Sequence, residues 1–314
     1  MTHPVRKILS LDGGGIKGVF AAAFLAGLEE TLNVNVGDYF DLIVGTSTGA
    51  IVALGLGRDL SARQVLGFYE TYGPVIFRRT AISRILAPVF LGRYDALPLR
   101  NSLKTVFGAT RLGDSKRRLV IPSMNLETGE VHVFKTAHDQ RLQTDFKTSM
   151  VDVALASAAA PTYFPVHRPD TGTPFIDGGM WANNPVASAV VEAIAVLGWP
   201  RESLRVFSLG GTFEPLNVHW GLKLRLGMLY WGAKITDVFL AGQSSASLGI
   251  AQLLAGKENV FRVSPVVPNG RFALDTACEI ASLKGLGNSE ARKWLPTLKP
   301  IFFTQTADAF TPCI

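Results

Sequence analysis

"LIVGTSTGAIVALG", Leu42–Gly55, sets one serine between two threonines and two glycines, with a β-branched run before it and an apolar run after it. A strand that ends near the first glycine, followed by a helix that begins just past Ser47, places this serine on the turn between them. A nucleophile on so sharp a turn sits in a strained conformation, and the residues two positions to either side must lack bulk. Gly45 and Gly49 meet that demand and complete G-x-S-x-G. The dipole of the following helix favours an ionised attacking oxygen. The pattern also arises by chance, so its meaning rests on the strand and helix around it.

Outward from that turn, short β-branched runs recur: "KILSL" (Lys7–Leu11), "FDLIV" (Phe40–Val44), "RLVIPS" (Arg118–Ser123), "VHVFKT" (Val131–Thr136), "RVFSLG" (Arg205–Gly210) and "NVFRVS" (Asn259–Ser264). Stretches long enough for crossover helices lie between most of them, among them Val19–Leu32 and Pro185–Leu197. That alternation predicts a three-layer α/β/α fold around a mostly parallel sheet. "NLETGEVHVF", Asn125–Phe134, instead reads as two strands joined by a turn at Thr128 and Gly129, which makes the sheet mixed. No internal repeat or compositional break divides the chain, so residues 1–314 are expected to form one domain. The segment from about 215 to 314 forms its C-terminal, mainly helical region.

Of 314 residues, 47% are hydrophobic and 18% charged, a globular composition that excludes a disordered chain. The net charge of +6 favours an anionic partner without choosing among phospholipid, nucleotide and nucleic acid. The cluster Lys116–Arg118 reads as a solvated turn before a strand rather than a binding patch. Two cysteines, Cys278 and Cys313, are too few for a disulfide framework or a metal site and read as reduced thiols. The N-terminal residues show no secretory h-region, and a cytoplasmic protein is expected. The uncharged stretch Leu42–Gly57 is short for a span. Val238–Gly256 carries Gln243, Ser244, Ser245, Ser247 and Gln252, so no transmembrane helix is expected. The tail "TQTADAFTPCI" reads as flexible.

The first strand runs into "LDGGGIKG", Leu11–Gly18, and then into a helix-like run. Consecutive glycines can turn several N–H groups toward one spot at the helix N-terminus, which suits an anion. Gly13, Gly15 and Gly18 also satisfy G-x-G-x-x-G, but "GTSTG" stands where a dinucleotide site wants an acid after the second strand, and no P-loop pattern fits. A phosphate-holding loop with a structural Ser47 is the second reading of these residues.

An attacking serine needs a proton acceptor. His132, His138, His167 and His219 follow Ser47, and none lies in a turn-like motif with small neighbours. A histidine-dependent esterase using His219 is the third reading. The carboxylate that stands out is Asp177 in "TPFIDGGMWANNP", after a short strand "PFI" and before two glycines. It suits a catalytic group at a strand end, and equally a residue that turns the chain.

"LDGGGIKG", "GTSTG", "ASAAAPTYFP" and "FIDGGMWANNP", in this order from Lys7 to about Pro185, resemble the patatin-like phospholipase family, and "RVFSLGGT" fits that family's later strand. The resemblance implies a patatin-like fold and a serine hydrolase that cleaves lipid acyl esters through a Ser–Asp dyad, with no histidine, metal or cofactor. It assigns Ser47 as nucleophile, Asp177 as base and Gly13, Gly14 and Gly15 as the oxyanion loop, with Lys17, Gly45, Gly49, Gly178 and Gly179 in support. Lys17 departs from the family's usual arginine and lacks its planar fork. Partial burial is expected to raise the pKa of Asp177 and make it a stronger base.

The substrate implied is membrane phospholipid, contacted peripherally at the inner membrane, with no nucleic acid partner. His219–Lys234 interleaves aromatic and apolar residues with cations, as an interfacial segment does, although a buried helix with surface lysines reads as well. Ile82–Tyr94 is a similar candidate for a lid. Within the family, the chain resembles bacterial effectors of anti-phage signalling, known as CBASS, in which a cyclic oligonucleotide switches on the lipase. That resemblance implies a cyclic di- or trinucleotide activator and leaves a homo-oligomer open.

Overall fold

The computed structural model describes residues 3–78, 92–215, 228–268 and 270–313. The candidate lid residues 82–91 and the interfacial residues 219–227 lie outside them, as does His219.

The elements follow in chain order. Strand β1 (Arg6–Leu11) leads through a 3-10 turn into α1 (Gly18–Leu32), and β2 (Leu42–Gly45) into α2 (Thr48–Gly57). Helices α3 (Ala62–Ile76) and α4 (Ala96–Phe107) come next, then β3 (Arg118–Asn125), β4 (Val131–Lys135) and α5 (Met150–Ala158). Strand β5 (Phe175–Asp177) runs into the single turn α6 (Gly179–Ala182) and α7 (Val186–Val191). The chain closes with β6 (Leu204–Leu209), α8 (Met228–Ala255), β7 (Val260–Val263) and α9 (Ile280–Phe302).

The sheet order is β4-β3-β2-β1-β6-β7, with β5 paired to β3 off that path. β1, β2, β3, β6 and β7 pair in parallel, whereas β4 and β5 both run antiparallel to β3. The mixed sheet is as the sequence predicts. The pairing of β5 was not legible there, because three residues carry too little periodicity to name a partner.

Strand alternation sorts the apolar side chains into two cores. Leu9, Leu11, Ile43, Phe207 and Leu209 join α1, α2, α3, α5 and α9 on one face, while Ile8, Leu42, Val44, Leu204 and Val206 join α7 and the end of α8 on the other. Helices thus cover both faces, giving the three-layer arrangement. Helix α2 is buried along its whole length, and the turn before it is held by that packing and by Thr46, whose N–H donates to the Leu11 carbonyl at 3.1 Å and whose hydroxyl donates to that of Ala182 at 2.7 Å.

The stretch Pro185–Leu197 is helical as expected, α-helical over Val186–Val191 and π-helical over Glu192–Val196. Two expectations need correction. The terminal segment is tied down: Ala307 N–H donates to the Asp38 carbonyl at 2.7 Å, Cys313 N–H to that of Ala137 at 2.7 Å, and Arg6 Nη1 to Asp308 at 2.8 Å. The Lys116–Arg118 cluster is not a solvated turn throughout. Arg117 is half-buried against Asp38, and the Arg118 guanidinium lies 5.1 Å from the Phe310 ring and 5.8 Å from that of Trp199. Mixed charges and aromatics close in space but distant in sequence cancel what a charge run alone suggests.

Ile235–Ala255 of α8 is long and apolar enough to cross a membrane by length and composition, which the sequence reading did not expect. Its polar side chains nonetheless dock on the protein: Gln243, Ser244 and Ser247 bond Asn183, Asn184 and Ala187.

Candidate active site

β1 and β2 are neighbours in parallel register, with Leu11 opposite Gly45, so the glycine loop after β1 and the serine turn after β2 emerge side by side. Ser47 has φ 56° and ψ −119°, a conformation that non-glycine residues rarely adopt. A side chain at Gly45 would collide with the Gly49 carbonyl, and one at Gly49 with the Leu11 carbonyl. The spacing of small residues read from sequence is therefore a steric requirement of the turn. Ser47 N–H donates to Ser157 Oγ at 3.0 Å, and that hydroxyl donates to the Pro122 carbonyl at 2.6 Å.

Asp177 ends β5, which β3 positions through the register Ser123 opposite Asp177. Ser47 Oγ donates to Asp177 Oδ2 at 2.7 Å, and Gly179 N–H donates to Oδ1 at 2.6 Å. The backbone is pinned as well: Asp177 N–H donates to the Ala159 carbonyl at 3.0 Å and Gly178 N–H to that of Ser157 at 3.2 Å. Burial pushes the Asp177 carboxyl up to about 6 despite the opposing bonds from Gly179 and Ser47. This is the direction the sequence reading anticipated for a base.

Ser157 was missed as a site residue. It is fully buried and braces Ser47 through its hydroxyl and the Asp177 turn through its carbonyl. The available signal was that it is the one polar residue in the run Ala154–Ala160.

The three glycines expected to form the oxyanion loop are not equivalent. Gly13 N–H already donates to the Asn183 carbonyl at 2.9 Å, so that amide is not open to an oxyanion. Gly13 serves close approach instead: a Cβ there would lie 2.5 Å from Asn183 Oδ1 and 3.2 Å from Ser47 Cβ. Among the described residues, no acceptor bonds the N–H of Gly14 or Gly15. Gly15 has φ +57°, and its own Cβ would strike the Leu274 carbonyl, which accepts Ile16 N–H at 2.8 Å. Lys17 turns away to pair with Glu214 at 3.1 Å, so it anchors the loop's exit. Helix α1 starts at Gly18 and directs its positive end toward this loop.

The described histidines that follow Ser47 lie against other groups. His138 bonds Glu192 at 2.9 Å and Thr136 at 2.9 Å, His167 bonds Asp152 at 3.0 Å, and His132 lies 3.5 Å from Asp145. Among the described residues, no group of three His, Cys, Asp or Glu side chains is placed to hold a metal ion. A pocket lined by Leu99, Leu155, Ala159, Phe164 and Val166 adjoins the segment that pins Asp177. The geometry sets a strained serine hydroxyl in hydrogen-bond contact with a desolvated carboxylate, an arrangement suited to proton transfer between them.

Residues 9–190 match the patatin-like phospholipase family. A "cGAMP-activated phospholipase" of Pseudomonas aeruginosa is 34% identical over 98% of this chain and 94% of its own length. A Vibrio cholerae protein of the same name is 41% identical, over 57% of this chain and 55% of its own. Patatin-like protein 1 of Arabidopsis thaliana is 32% identical over 58% of this chain and 50% of its own. With these two relatives, the match spans about half their length. Among solved structures, VipD from Legionella pneumophila aligns over 94% of this chain and 67% of its own, with a TM-score of 0.48 and 13% identity.

Proposed function

The chain belongs to the patatin-like phospholipase family, and from that premise we propose that it cleaves ester bonds of membrane glycerophospholipids with Ser47 as nucleophile and Asp177 as base. The observation that carries this reading is the 2.7 Å hydrogen bond from a strained serine to a carboxylate held near neutrality.

Asp177 accepts the hydroxyl proton as Ser47 Oγ bonds to the ester carbonyl carbon. The carbonyl oxygen gains the negative charge, and the amides of Gly14 and Gly15 receive it. Removing one such donor typically costs about 3 kcal/mol of transition-state stabilisation. Collapse of this intermediate breaks the ester C–O bond, and the proton on Asp177 passes to the departing lysolipid alcohol. A water molecule then gives its proton to Asp177 as its oxygen attacks the acyl-serine, releasing fatty acid and restoring Ser47.

The reading extends to regulation. A lipase that acts on its host's membrane needs to be held off, and a relative that aligns along nearly the whole chain carries the name cGAMP-activated phospholipase. A cyclic dinucleotide is accordingly the proposed activator, in an anti-phage role at the cytoplasmic face of the inner membrane. The test is mass spectrometry of bacterial phospholipid vesicles incubated with the protein, alone and with cyclic di- and trinucleotides. Lysolipid and fatty acid should appear with an activating nucleotide. Their absence under every condition would reject the lipase reading, and equal release without nucleotide would reject the activation.

A further inference from the structure

Asp12, the residue before Gly13, is a buried acid in the wall of the proposed site, and the dyad chemistry makes no use of it. Its N–H continues the β1–β6 pairing by donating to the Leu209 carbonyl at 3.1 Å. Its carboxylate is gripped from two strands away. Arg262 on β7 reaches across β6 and donates from Nη1 to Asp12 Oδ1 at 2.7 Å and from Nη2 to Oδ2 at 2.6 Å. The same Nη1 also donates to Ser208 Oγ at 2.8 Å, and Ser208 stands opposite Arg262 in the β6–β7 register. The guanidinium passes so close over Gly210 that a Cβ there would lie 2.5 Å from Nη2. This is a fork that fits one position and no other, of the kind lysine cannot reproduce.

Two physical consequences meet at the glycine loop. Asp12 is the hinge from which Gly13–Gly15 depart, so the orientation of the Gly14 and Gly15 amides depends on where its backbone is held. The carboxylate belongs to the residue directly before the loop, and a buried charge there with no cation to cancel it would oppose negative charge forming at the loop amides. Burial pushes the Asp12 carboxyl up, against the pull of Arg262.

We propose that Arg262 is a positioning residue for the oxyanion amides: by clamping both oxygens of Asp12 it fixes the root of the glycine loop and neutralises a buried charge beside the developing oxyanion. The inference rests on the Ser47–Asp177 reading above. It assigns a role in turnover to a strand far outside the motifs from Lys7 to Pro185.

The experiment is steady-state hydrolysis of p-nitrophenyl butyrate, run with and without cGAMP and compared under the condition in which the parent is active, together with the rate at which a fluorophosphonate labels Ser47. The proteins are the full-length parent, Ser47→Ala, Arg262→Met, Arg262→Lys and the double variant Asp12→Asn/Arg262→Met. Circular dichroism controls for folding. Arg262→Met is expected to lose about tenfold or more in kcat and in labelling rate, as when oxyanion contacts are misplaced, with KM within about twofold. The double variant removes the unpaired charge and should recover part of that loss. Arg262→Lys, which keeps the charge without the fork, should fall between Arg262→Met and the parent. A folded Arg262→Met with the parent's kcat, or a double variant no faster than Arg262→Met, overturns the proposal. If Arg262→Met does not fold, Arg262→Lys decides: turnover equal to the parent's rejects the role, and a kcat loss at constant KM supports it. A parent that hydrolyses the ester only with Ser47 intact, beside Arg262 variants that match it, rejects this inference alone. A parent indifferent to Ser47→Ala rejects the proposed function and this role with it.

Discussion

Ser47 Oγ stands 2.7 Å from Asp177 Oδ2 although 130 positions separate the two residues. The link between them is β3, which pairs in parallel with the strand leading to the serine and antiparallel with the strand that ends in the aspartate. One strand therefore sets the distance between the serine and the aspartate.

Ser47→Ala and Asp177→Asn should each lower ester hydrolysis by about three orders of magnitude or more, with circular dichroism unchanged. His167→Gln should leave kcat within about twofold. His138→Gln should do the same while lowering the melting temperature, because Glu192 then loses a buried partner. Fatty acid release measured for the four variants checks both halves, and a large kcat loss in either histidine variant would refute the histidine-free dyad.

In the proposed mechanism hydrolysis requires ionised Asp177, whose carboxyl is raised from 3.8 to about 6 by burial. The pH profile of kcat/KM should therefore rise through one ionisation near 6 and level off above it, whereas an ordinary aspartate would place that limb about two units lower. The same shift has a cost in stability. Between about pH 4 and 6 the folded state holds the proton more tightly than the unfolded state, so this group's contribution to stability falls as pH rises. Asp177→Asn should be more stable than the parent above pH 6, by on the order of 1–3 kcal/mol, and the gain should vanish below about pH 4. Urea denaturation across that range measures it.

Glycines of equal appearance in the sequence should respond oppositely to alanine. Gly15→Ala meets the Leu274 carbonyl at a positive φ and should destabilise the fold by about 1–3 kcal/mol while lowering turnover. Gly67→Ala in α3 meets open space and should add about 0.5–1 kcal/mol. Thermal melts of the two variants, read side by side, provide the comparison.

Deleting the residues after Phe303 removes the bonds to Asp38 and Ala137 and the Phe310 ring over Arg118. The truncated protein should lose about 2 kcal/mol or more in urea denaturation. These contacts lie at the strand ends opposite the glycine loop, so the hydrolytic rate of the folded fraction should not change. Unaltered stability would mean that the tail's contacts are marginal.

Much of this arrangement is legible without coordinates because its causes are local. The strand and helix around Ser47, the small residues at Gly45 and Gly49, and the hairpin at Gly129 each follow from sterics within a few residues. The two-sided burial of the sheet follows from apolar runs interspersed with crossover helices.

By itself the sequence determined that a serine would sit strained between a strand and a helix, beside a loop of glycines, with Asp177 the acid most suited to serve it. Only the tertiary structure decided that Asp177 reaches Ser47, that Ser157 braces both, that the Gly13 amide belongs to Asn183, and that Arg262 grips Asp12. The physical reason is range. A residue's shape constrains its own few neighbours, whereas the partner of a buried hydrogen bond is chosen by strand register, which depends on the packing of the whole sheet.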